Sequence, residues 1–430
     1  MKNKLALYGG EKTRLKPFVS HAIIGDEEKR RVNEVLECGM LSGFIAQKGD
    51  KFLGGKQIKE FEALIKEYFN VKEAVAINSA TAGLHVALGA CGVGPGDEVI
   101  VTPYTMSASA TAIIMVNATP VFVDITDDTF CLDSHKIKAA ITPRTKAIMV
   151  VHLFGHPADM DPITRVAAEN NLHVIEDCAQ APGAIYKDKM VGTIGDVGIF
   201  SLNQHKTITC GEGGFAVTNN EKLALRMQLL RNHGEVIVDK MEEEDISNMI
   251  GFNYRMTELE AAVAVGQFRR LDELNDYRIG LAKYLTDKLS KFDGLILPEE
   301  KEYAKHVYFV YPIKIDEKTV GCSRDSFAKA LNAEGIPFGE GYVRPIYLEP
   351  MYQKKIAYGK SGWPFTGGVY EGEVDYSKGI CPVTERMYEK ELLLTGVCKY
   401  PHTKKDIDFV ADAFEKIFDN IEDLKRENKF

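Results

Sequence analysis

The chain has 430 residues, which exceeds what one hydrophobic core usually supports, so we expect two domains. Its 45% hydrophobic and 27% charged residues are typical of a soluble globular protein. A net charge of -9 argues against general binding to nucleic acid or to an anionic membrane, so an anionic ligand would need local donors.

Eight cysteines are scattered along the chain with no CxxC pair and no zinc-like spacing, which indicates reduced thiols and no metal centre. The N-terminal segment lacks an apolar stretch long enough for a signal peptide, and no later run approaches membrane-spanning length. We therefore expect a cytoplasmic protein that binds neither membrane nor nucleic acid.

The first elements follow an N-terminal arm, residues 1–25. Apolar spacing predicts helices at 26–38 and 56–69, and then a strand at 74–77. The turn at 78–81 leads into a helix and is rich in small hydroxyl residues. Free backbone N–H groups and the helix dipole at such a turn can hold a phosphate. Plain capping by Ser79 or Thr81 is the alternative.

Strands and helices then alternate. The predicted strands are 98–102, 120–124, 147–152, 173–177 and 197–200, and the predicted helices between them include 107–116, 135–141 and 161–170. Such alternation predicts a mostly parallel sheet flanked by helices, the large domain of an α/β protein over residues 26–290. Ligands in such sheets bind beyond the carboxyl ends of the strands.

Asp177 stands at one of these strand ends. Its neighbours Cys178, Ala179 and Gln180 would not favour a buried carboxylate unless it has a cationic partner or hydrogen-bond donors. A protonated pyridine nitrogen would be such a partner. The alternative is that Asp177 caps the following turn.

Lys206 lies between the strand at 197–200 and the glycine-rich turn at 211–214, after which the strand pattern resumes at 215–218. Glycines let the backbone approach a ligand closely. A lysine amine there can condense with an aldehyde cofactor if its surroundings lower its pKa. The alternative is a surface lysine in a glycine hairpin.

A capping box at 257–260 opens a long predicted helix through residue 289, the last element of the large domain. The composition changes near residue 292, and the pattern of residues 291–430 predicts a smaller α+β domain. A strand at 306–313, a helix at 324–334 and a last helix from 403 follow. The segment 347–388, with the only tryptophan, is too long for a simple connection. It is either a binding loop or a disordered insertion.

Taken together, the motifs resemble the DegT/DnrJ sugar aminotransferases, a branch of the fold-type I pyridoxal phosphate enzymes. Six motifs occur in the family order: 78–84, 102–105, 152–160, 176–180, 201–214 and 251–256. The resemblance runs from about Asp26 to the C-terminus and implies the aspartate aminotransferase-like fold.

The resemblance implies a role for each matched residue. Lys206 would carry the cofactor as a Schiff base and move the proton, and Asp177 would hold the pyridine nitrogen protonated. Gln180 would lie beside the cofactor ring. The expected phosphate donors are Ala80, Thr81, Ser201 and, from the neighbouring subunit, Asn253. A homodimer with shared active sites follows from that pattern.

One position departs from the family pattern, and another separates two branches of the family. Met106 stands where many members have an aromatic residue that stacks on the pyridine ring, so a thioether or nearby Tyr104 would have to cover that face. In the dehydratase branch a histidine replaces the lysine. Counting back from the glycines 211–214 puts Lys206, not His205, at that position, which favours transamination.

The implied activity is a transaminase with pyridoxal 5'-phosphate on Lys206 and pyridoxamine phosphate as its intermediate form. L-glutamate or glutamine would be the donor, and a nucleotide-linked keto-deoxy sugar the acceptor, in amino-sugar biosynthesis for lipopolysaccharide or a natural product. A cyclitol ketone or a free acidic keto sugar is the alternative acceptor. Tyr342 and Arg344 would contribute to the acceptor pocket, and a surface arginine is the alternative for Arg344. A sugar 3-dehydratase and a non-catalytic cofactor-binding protein are the alternatives of another class.

Overall fold

The computed structural model describes residues 4–19, 24–241 and 245–427. The predicted N-terminal arm therefore lies partly outside the described residues. Its described part contacts the C-terminal half of the chain: the carboxylate of Glu334 accepts hydrogen bonds from the amides of Ala6, at 2.8 Å, and Thr13, at 3.0 Å.

Helices alternate with strands through the first half of the chain. They are α1 (Asp26–Cys38), α2 (Lys56–Phe69), α3 (Ala80–Ala90), α4 (Ala108–Met115), α5 (Ser134–Ala140), α6 (Met160–Glu169), α7 (Glu221–Arg231), α8 (Glu258–Phe268), α9 (Leu271–Leu289), α10 (Glu317–Val320), α11 (Arg324–Ala333), α12 (Pro350–Gln353), α13 (Pro382–Arg386), α14 (Lys404–Asp419) and α15 (Ile421–Glu427). Among the described residues, no helix is both long and apolar enough to cross a bilayer.

The strands of the described residues form three sheets. They are β1 (Glu73–Ile77), β2 (Glu98–Val101), β3 (Thr119–Phe122), β4 (Thr145–Val151), β5 (His173–Asp177), β6 (Ile185–Tyr186), β7 (Lys189–Met190), β8 (Val197–Ser201), β9 (Gly214–Thr218), β10 (Leu295–Ile296), β11 (Ala304–Lys305), β12 (Tyr311–Ile315), β13 (Gly339–Glu340) and β14 (Leu392–Thr395).

The largest sheet has seven strands in the order β1-β9-β8-β5-β4-β2-β3. The pairs from β8 to β3 are parallel, and β9 runs antiparallel to both of its neighbours. Nearly every residue of its central strands is buried because helices cover both faces, as parallel sheets require. The predicted α/β fold with a mostly parallel sheet is confirmed.

The C-terminal half builds a second, four-stranded sheet in the order β10-β12-β14-β13. Its core includes buried residues of α11 and α14, but also Leu281, Leu285 and Leu289 from the end of α9. A small third sheet joins the two predicted domains, because β11 from the C-terminal side of residue 291 pairs with β6 from the large domain. We keep the predicted division at residues 290 and 291 as a proposal, with α9 shared between the two cores.

Two predicted elements differ from the structure. The helix predicted from the capping box through residue 289 breaks at Arg269 and Arg270, because α8 packs on α1 and α2 whereas α9 packs on α14. The strand predicted at 306–313 begins only at Tyr311. Tyr308 has a left-handed φ of 47°, and His306 and Val307 instead bond to the loop of residues 154–155.

The segment 347–388 is folded against the edge of the large sheet. Its aromatic residues form a cluster with Ala110 and Ile114 of α4. Trp363 Nε1 donates to Asn117 Oδ1 at 2.7 Å, and the Tyr376 hydroxyl donates to the carbonyl oxygen of Pro120 on β3 at 2.7 Å. The segment therefore covers the exposed edge strand, which a sheet must protect.

Candidate active site

The candidate site lies at the carboxyl ends of the central strands. Asp177 ends β5 and Ser201 ends β8, and the two strands are hydrogen-bonded neighbours. The loop that carries Lys206 leaves from Ser201. The topology thus brings three predicted site residues to one edge of the sheet, as the rule for open α/β sheets predicts.

Asp177 is 5% exposed and accepts two hydrogen bonds. The hydroxyl of Ser109 donates to Oδ2 at 2.7 Å, and the amide of Ala179 donates to Oδ1 at 3.1 Å. Oδ1 therefore caps the following turn, as the alternative interpretation predicted, while Oδ2 is hydrogen-bonded to Ser109 of α4. Within the described residues neither oxygen takes part in an ion pair, which leaves the carboxylate a suitable partner for a ligand cation.

The start of α3 packs against the glycines that follow Lys206. A Cβ added to Gly214 would lie 2.7 Å from the amide nitrogen of Ala80, and Gly214 pairs with Ser201 across β8 and β9. Ser79 caps the helix by accepting from the amide of Ala82 at 3.1 Å. The amides of Ala80 and Thr81 belong to the first turn of α3 and have no intrahelical partners, so they can donate to an anion. Backbone atoms of Ser79, Ala80 and Phe200 surround the Cβ position of residue 214, so glycine is what lets β9 pack this closely on the start of the helix.

Lys206 is held in a closed loop. The amide of Leu202 donates to the carbonyl of Gly213 at 2.9 Å, and the amide of Lys206 donates to the carbonyl of Asn203 at 2.9 Å. The residue is partly buried, and its Nζ lies 4.7 Å from the centroid of the Phe309 ring. Burial lowers the pKa of the amine, and the negative charge of Asp177 offsets part of that effect. A lowered pKa is what a nucleophilic lysine needs.

Gln180 connects the large sheet to the C-terminal half. Its Oε1 accepts from the amide of Phe154 at 2.8 Å, and its Nε2 donates to the hydroxyl of Tyr342 at 2.8 Å. Burial raises the pKa of Tyr342 to about 12, so the phenol is neutral at physiological pH. The structure therefore places Tyr342, predicted to contact the acceptor, beside Gln180, predicted to contact the cofactor.

The two candidates for ring stacking differ in exposure. Tyr104 is fully buried and packs edge-on against Phe154 and Tyr342, so its ring has no open face. Its hydroxyl has no hydrogen-bond partner among the described residues. Met106 precedes α4 and is 58% exposed. Of the two, Met106 is the residue whose side chain is open to a ligand.

Behind the site lies a buried polar group that holds the loop of residues 152–158. The amide of Ala158 donates to His152 Nδ1 at 3.0 Å, so Nε2 carries the proton and donates to Glu176 at 2.9 Å. Glu176 also accepts from the amides of Gly192, Ile194 and Gly195. His152, Glu176 and Cys178 are near enough to hold a metal ion, but these bonds occupy both nitrogens and both carboxylate oxygens, so the group is structural.

Asn253 and Arg344 are not brought into this group. Both are exposed, and neither side chain forms a hydrogen bond with the other site residues in the described part of the chain. Asn253 forms an isolated bridge with Asn232 instead. Its predicted role needs a second subunit, and that role stays a prediction.

Ser109, Phe154 and Gly214 are site residues whose roles the sequence did not indicate. Ser109 lies in a run of small residues that predicted a helix and no functional role. Phe154 has a left-handed φ of 58°, which directs its amide to Gln180, and no sequence pattern marks such a conformation in a phenylalanine. Gly214 sits in the recognised glycine turn, but its contact with α3 depends on the sheet order.

These groups fit pyridoxal 5'-phosphate. The first-turn amides of α3 suit its phosphate, a carboxylate that forms no ion pair among the described residues suits its ring nitrogen, and an amine of lowered pKa suits its aldehyde. When bound, this cofactor supplies an electron sink for a carbanion. The fold and the site therefore define a pyridoxal phosphate-dependent enzyme of fold type I, with an aminotransferase as its class.

Comparison with known proteins gives the family. Residues 26–414 match the model of the DegT/DnrJ/EryC1/StrS aminotransferase family, and the chain belongs to it. The predicted resemblance, enzyme class and cofactor are confirmed.

Three similar proteins illustrate the range of the family. The chain is 42% identical over 299 residues to the GDP-perosamine synthase of Caulobacter vibrioides, covering 69% of this chain and 79% of that one. It is 36% identical over 433 residues to the L-glutamine:2-deoxy-scyllo-inosose aminotransferase of Streptoalloteichus tenebrarius, covering 98% and 99%. The structure of S. venezuelae DesV, solved in complex with a ketimine intermediate, has a TM-score of 0.76 at 32% identity and covers 91% of this chain and 94% of that one.

Proposed function

We propose that this protein transfers an amino group from L-glutamine or L-glutamate to the keto group of a sugar, with Lys206 as the residue that binds the cofactor and moves the proton. The observation that carries the proposal is the burial of the Lys206 amine, which lowers its pKa although the negative charge of nearby Asp177 offsets part of that effect. A free amine is required both to attack a carbonyl and to act as a base.

The other site residues have supporting roles in this proposal. Asp177, held by Ser109, pairs with the cofactor nitrogen, and the amides of Ala80 and Thr81 together with Ser201 bind the phosphate. Gln180 and Tyr342 hold the cofactor ring and the near end of the acceptor. Met106 covers the exposed face of the ring, and Arg344 meets the far end of the acceptor. The histidine that replaces the lysine in the dehydratase branch is absent here, because position 206 is lysine.

A nucleotide-linked keto-deoxy sugar is the proposed acceptor. Its support is the 42% identity to a GDP-perosamine synthase, whose name identifies a nucleotide-linked amino sugar as its product. On this proposal the protein acts in amino-sugar biosynthesis for lipopolysaccharide or a natural product, in the cytoplasm. Its assembly is a homodimer, in which Asn253 of one subunit completes the phosphate site of the other.

A cyclitol ketone is the second candidate acceptor. The observation that favours it is the extent of the match: the inosose aminotransferase relative aligns with 98% of this chain, whereas the GDP-perosamine synthase aligns with 69%. An end-to-end alignment includes the segment 347–388, which packs on the sheet edge. Assaying a keto-inositol and a nucleotide-linked keto sugar side by side separates the two acceptors.

The experiment that tests the function is an absorbance spectrum of the protein with pyridoxal phosphate, before and after an amino donor. We expect a visible band that L-glutamine or L-glutamate converts to the near-ultraviolet band of the amine form. A keto sugar that restores the visible band identifies the acceptor. A protein that develops no visible band contradicts the role of Lys206, and a band that no amino donor changes contradicts transamination.

A further inference from the structure

The side-chain amide of Gln180 has a fixed orientation. The backbone amide of Phe154 can only donate, so the Gln180 atom that faces it at 2.8 Å is the oxygen Oε1. The nitrogen Nε2 is therefore turned the other way, where it donates to the hydroxyl of Tyr342 at 2.8 Å. Gln180 is 3% exposed, and it presents N–H groups rather than an oxygen toward Tyr342.

The peptide that sets this orientation is strained. Phe154 has a φ of 58° and a ψ of 6°, a left-handed conformation that a bulky residue adopts only where its surroundings hold it. Gly155 follows with a φ of 92°, and a Cβ there would lie 2.9 Å from the amide nitrogen of Phe309 and 3.1 Å from the carbonyl oxygen of Gln180. The loop is thus packed between Gln180 and the segment 306–309.

His306 holds the opposite side of Phe154. Its Nε2 lies 3.1 Å from the carbonyl oxygen of Phe154, and because a carbonyl only accepts, Nε2 carries the proton and donates. The amide of Val307 donates to the carbonyl of Gly155 at 3.0 Å. Both polar backbone groups of Phe154 are therefore engaged, since Gln180 accepts from its amide and His306 donates to its carbonyl.

The imidazole of His306 is itself held in place and uncharged. It is 2% exposed, stacks on the ring of Tyr308 at 3.9 Å between centroids, and meets the ring of His156 edge-on at 5.1 Å. Burial, and then the charge of His156, lower the pKa of His306, while the bond to Phe154 offsets part of the effect. At neutral pH the ring thus has a single N–H, which Phe154 accepts. No hydrogen bond joins it to Lys206 within the described residues.

We propose that His306 is a positioning residue: by holding the Phe154 peptide, it keeps Nε2 of Gln180 turned toward Tyr342 and the ligand. The inference deepens the proposed function and rests on it for the contact between Gln180 and the cofactor ring. Nε2 carries two hydrogens and Tyr342 accepts one, so the other suits an acceptor oxygen such as the phenolic oxygen of pyridoxal phosphate. If Phe154 left its conformation, the amide would be free to rotate and present Oε1, which repels such an oxygen.

Removal of the imidazole N–H tests the proposal. His306→Leu keeps a buried apolar side chain, and equilibrium dialysis should show that it binds pyridoxal phosphate about tenfold or more weakly, the usual effect of leaving a buried polar group unsatisfied. The absorbance maximum of the bound cofactor should shift in the same direction as in Gln180→Ala. His306→Gln returns an N–H near the position of Nε2 and should recover most of both properties. Wild-type binding by His306→Leu, or a His306→Gln variant that recovers neither property, overturns the proposal.

His402→Leu is the matched control for replacing a buried histidine. His402 is 4% exposed, and its Nδ1 donates to the carbonyl of Val397 at 2.7 Å. The variant should unfold at a lower temperature while its cofactor affinity and spectrum stay those of the wild type. An equal loss of cofactor affinity in His402→Leu would mean that lost stability alone explains the result for His306, and it overturns the proposal.

A double-mutant cycle separates positioning through Gln180 from a general loss of structure. If His306 acts through the Gln180 amide, then His306→Leu adds nothing once that amide is gone. The variant that combines Gln180→Ala with His306→Leu should therefore bind pyridoxal phosphate within about twofold of Gln180→Ala alone. Losses of affinity that multiply, as independent effects do, overturn the proposal.

These measurements need no amino donor, so they are separate from the test of transamination. If Gln180→Ala binds and absorbs like the wild type, Gln180 does not contact the cofactor and the proposal for His306 fails, even where a donor converts the visible band. If no donor changes the band but the cycle shows coupling between residues 180 and 306, the role of His306 stands and transamination fails.

Discussion

The side-chain amide of Gln180 donates to the hydroxyl of Tyr342 at 2.8 Å, and this bond joins the large sheet to the C-terminal half of the chain. Gln180 follows β5 directly, whereas Tyr342 follows β13. The residue proposed to contact the acceptor is thus hydrogen-bonded to the residue proposed to contact the cofactor. Movement of the C-terminal half relative to the large sheet would therefore alter the positions of Gln180 and Tyr342 together.

Tyr342→Phe removes the acceptor of that bond and leaves a buried Gln180 donor unpaired. We expect a loss of about 1–3 kcal/mol in the free energy of unfolding and a lower affinity for the cofactor. Urea unfolding and titration with pyridoxal phosphate measure the two effects. Tyr284→Phe is the control, because it removes a tyrosine hydroxyl that donates to Asp408 Oδ1 at 2.8 Å, away from the candidate site. Equal losses of cofactor affinity in both variants contradict the role of Tyr342.

Lys206→Ala is expected to lower turnover by more than about 10²-fold, the lower end of what a positioned acid or base contributes. The fold and some cofactor affinity should remain, because the first-turn amides of α3 and Asp177 are unchanged. Turnover and the visible absorbance of the cofactor are the measurements. His205→Gln, which alters the exposed neighbour, is the control and should keep both. Wild-type turnover by Lys206→Ala would rule out the assigned role.

The lowered pKa of Lys206 also predicts how stability depends on pH. The folded protein binds fewer protons than the unfolded chain between the lowered folded-state pKa and the ordinary value of 10.5. The penalty of charging the buried amine is therefore fully present below the folded-state pKa, and stability recovers as the pH rises through that window.

Lys206→Met removes that penalty. In cofactor-free protein, the free energy of unfolding of Lys206→Met minus that of the wild type should fall as the pH is raised from 7 toward 10.5. Denaturant unfolding at a series of pH values measures the trend, and Lys405→Met is the control for an exposed lysine. A difference that does not vary with pH contradicts the burial of a charged amine.

The sequence was sufficient for the fold because its elements depend on local patterns, and apolar runs predicted the strands of the central sheet. A lysine before a glycine turn predicted the loop that the hydrogen bonds close, and the reactivity of that lysine stays a prediction. The capping box of α8 is also confirmed. Each of these features is determined by residues within a few positions of one another.

The features that the sequence did not reveal depend on long-range packing. The break between α8 and α9 involves no proline or glycine and follows from different packing partners. The bond from Ser109 to Asp177 joins residues 68 positions apart, and the bond from Gln180 to Tyr342 joins residues 162 positions apart.

Asp177→Asn is expected to slow the donor half-reaction by more than about tenfold, because a neutral amide no longer favours the protonated cofactor nitrogen. Ser109→Ala should have a smaller effect of the same kind, since it removes one donor at 2.7 Å and keeps the charge. Stopped-flow spectra with L-glutamate measure both. Asp133→Asn, which alters the cap of α5, is the control. Normal kinetics in Asp177→Asn would contradict its assignment.

The contact of the segment 347–388 with β3 predicts that its aromatic residues stabilise the fold. Tyr376→Ala removes a buried ring and its bond to Pro120, and a loss of about 3–5 kcal/mol in the free energy of unfolding is expected. Tyr376→Phe keeps the ring and should cost about 1–3 kcal/mol. Because these contacts lie on the sheet edge, the donor half-reaction of the folded Tyr376→Phe variant should keep its wild-type rate, measured by stopped flow at a temperature well below unfolding. An acceptor KM that rises more than about tenfold in Tyr376→Phe, with stability unchanged, would instead show that the segment shapes the acceptor pocket.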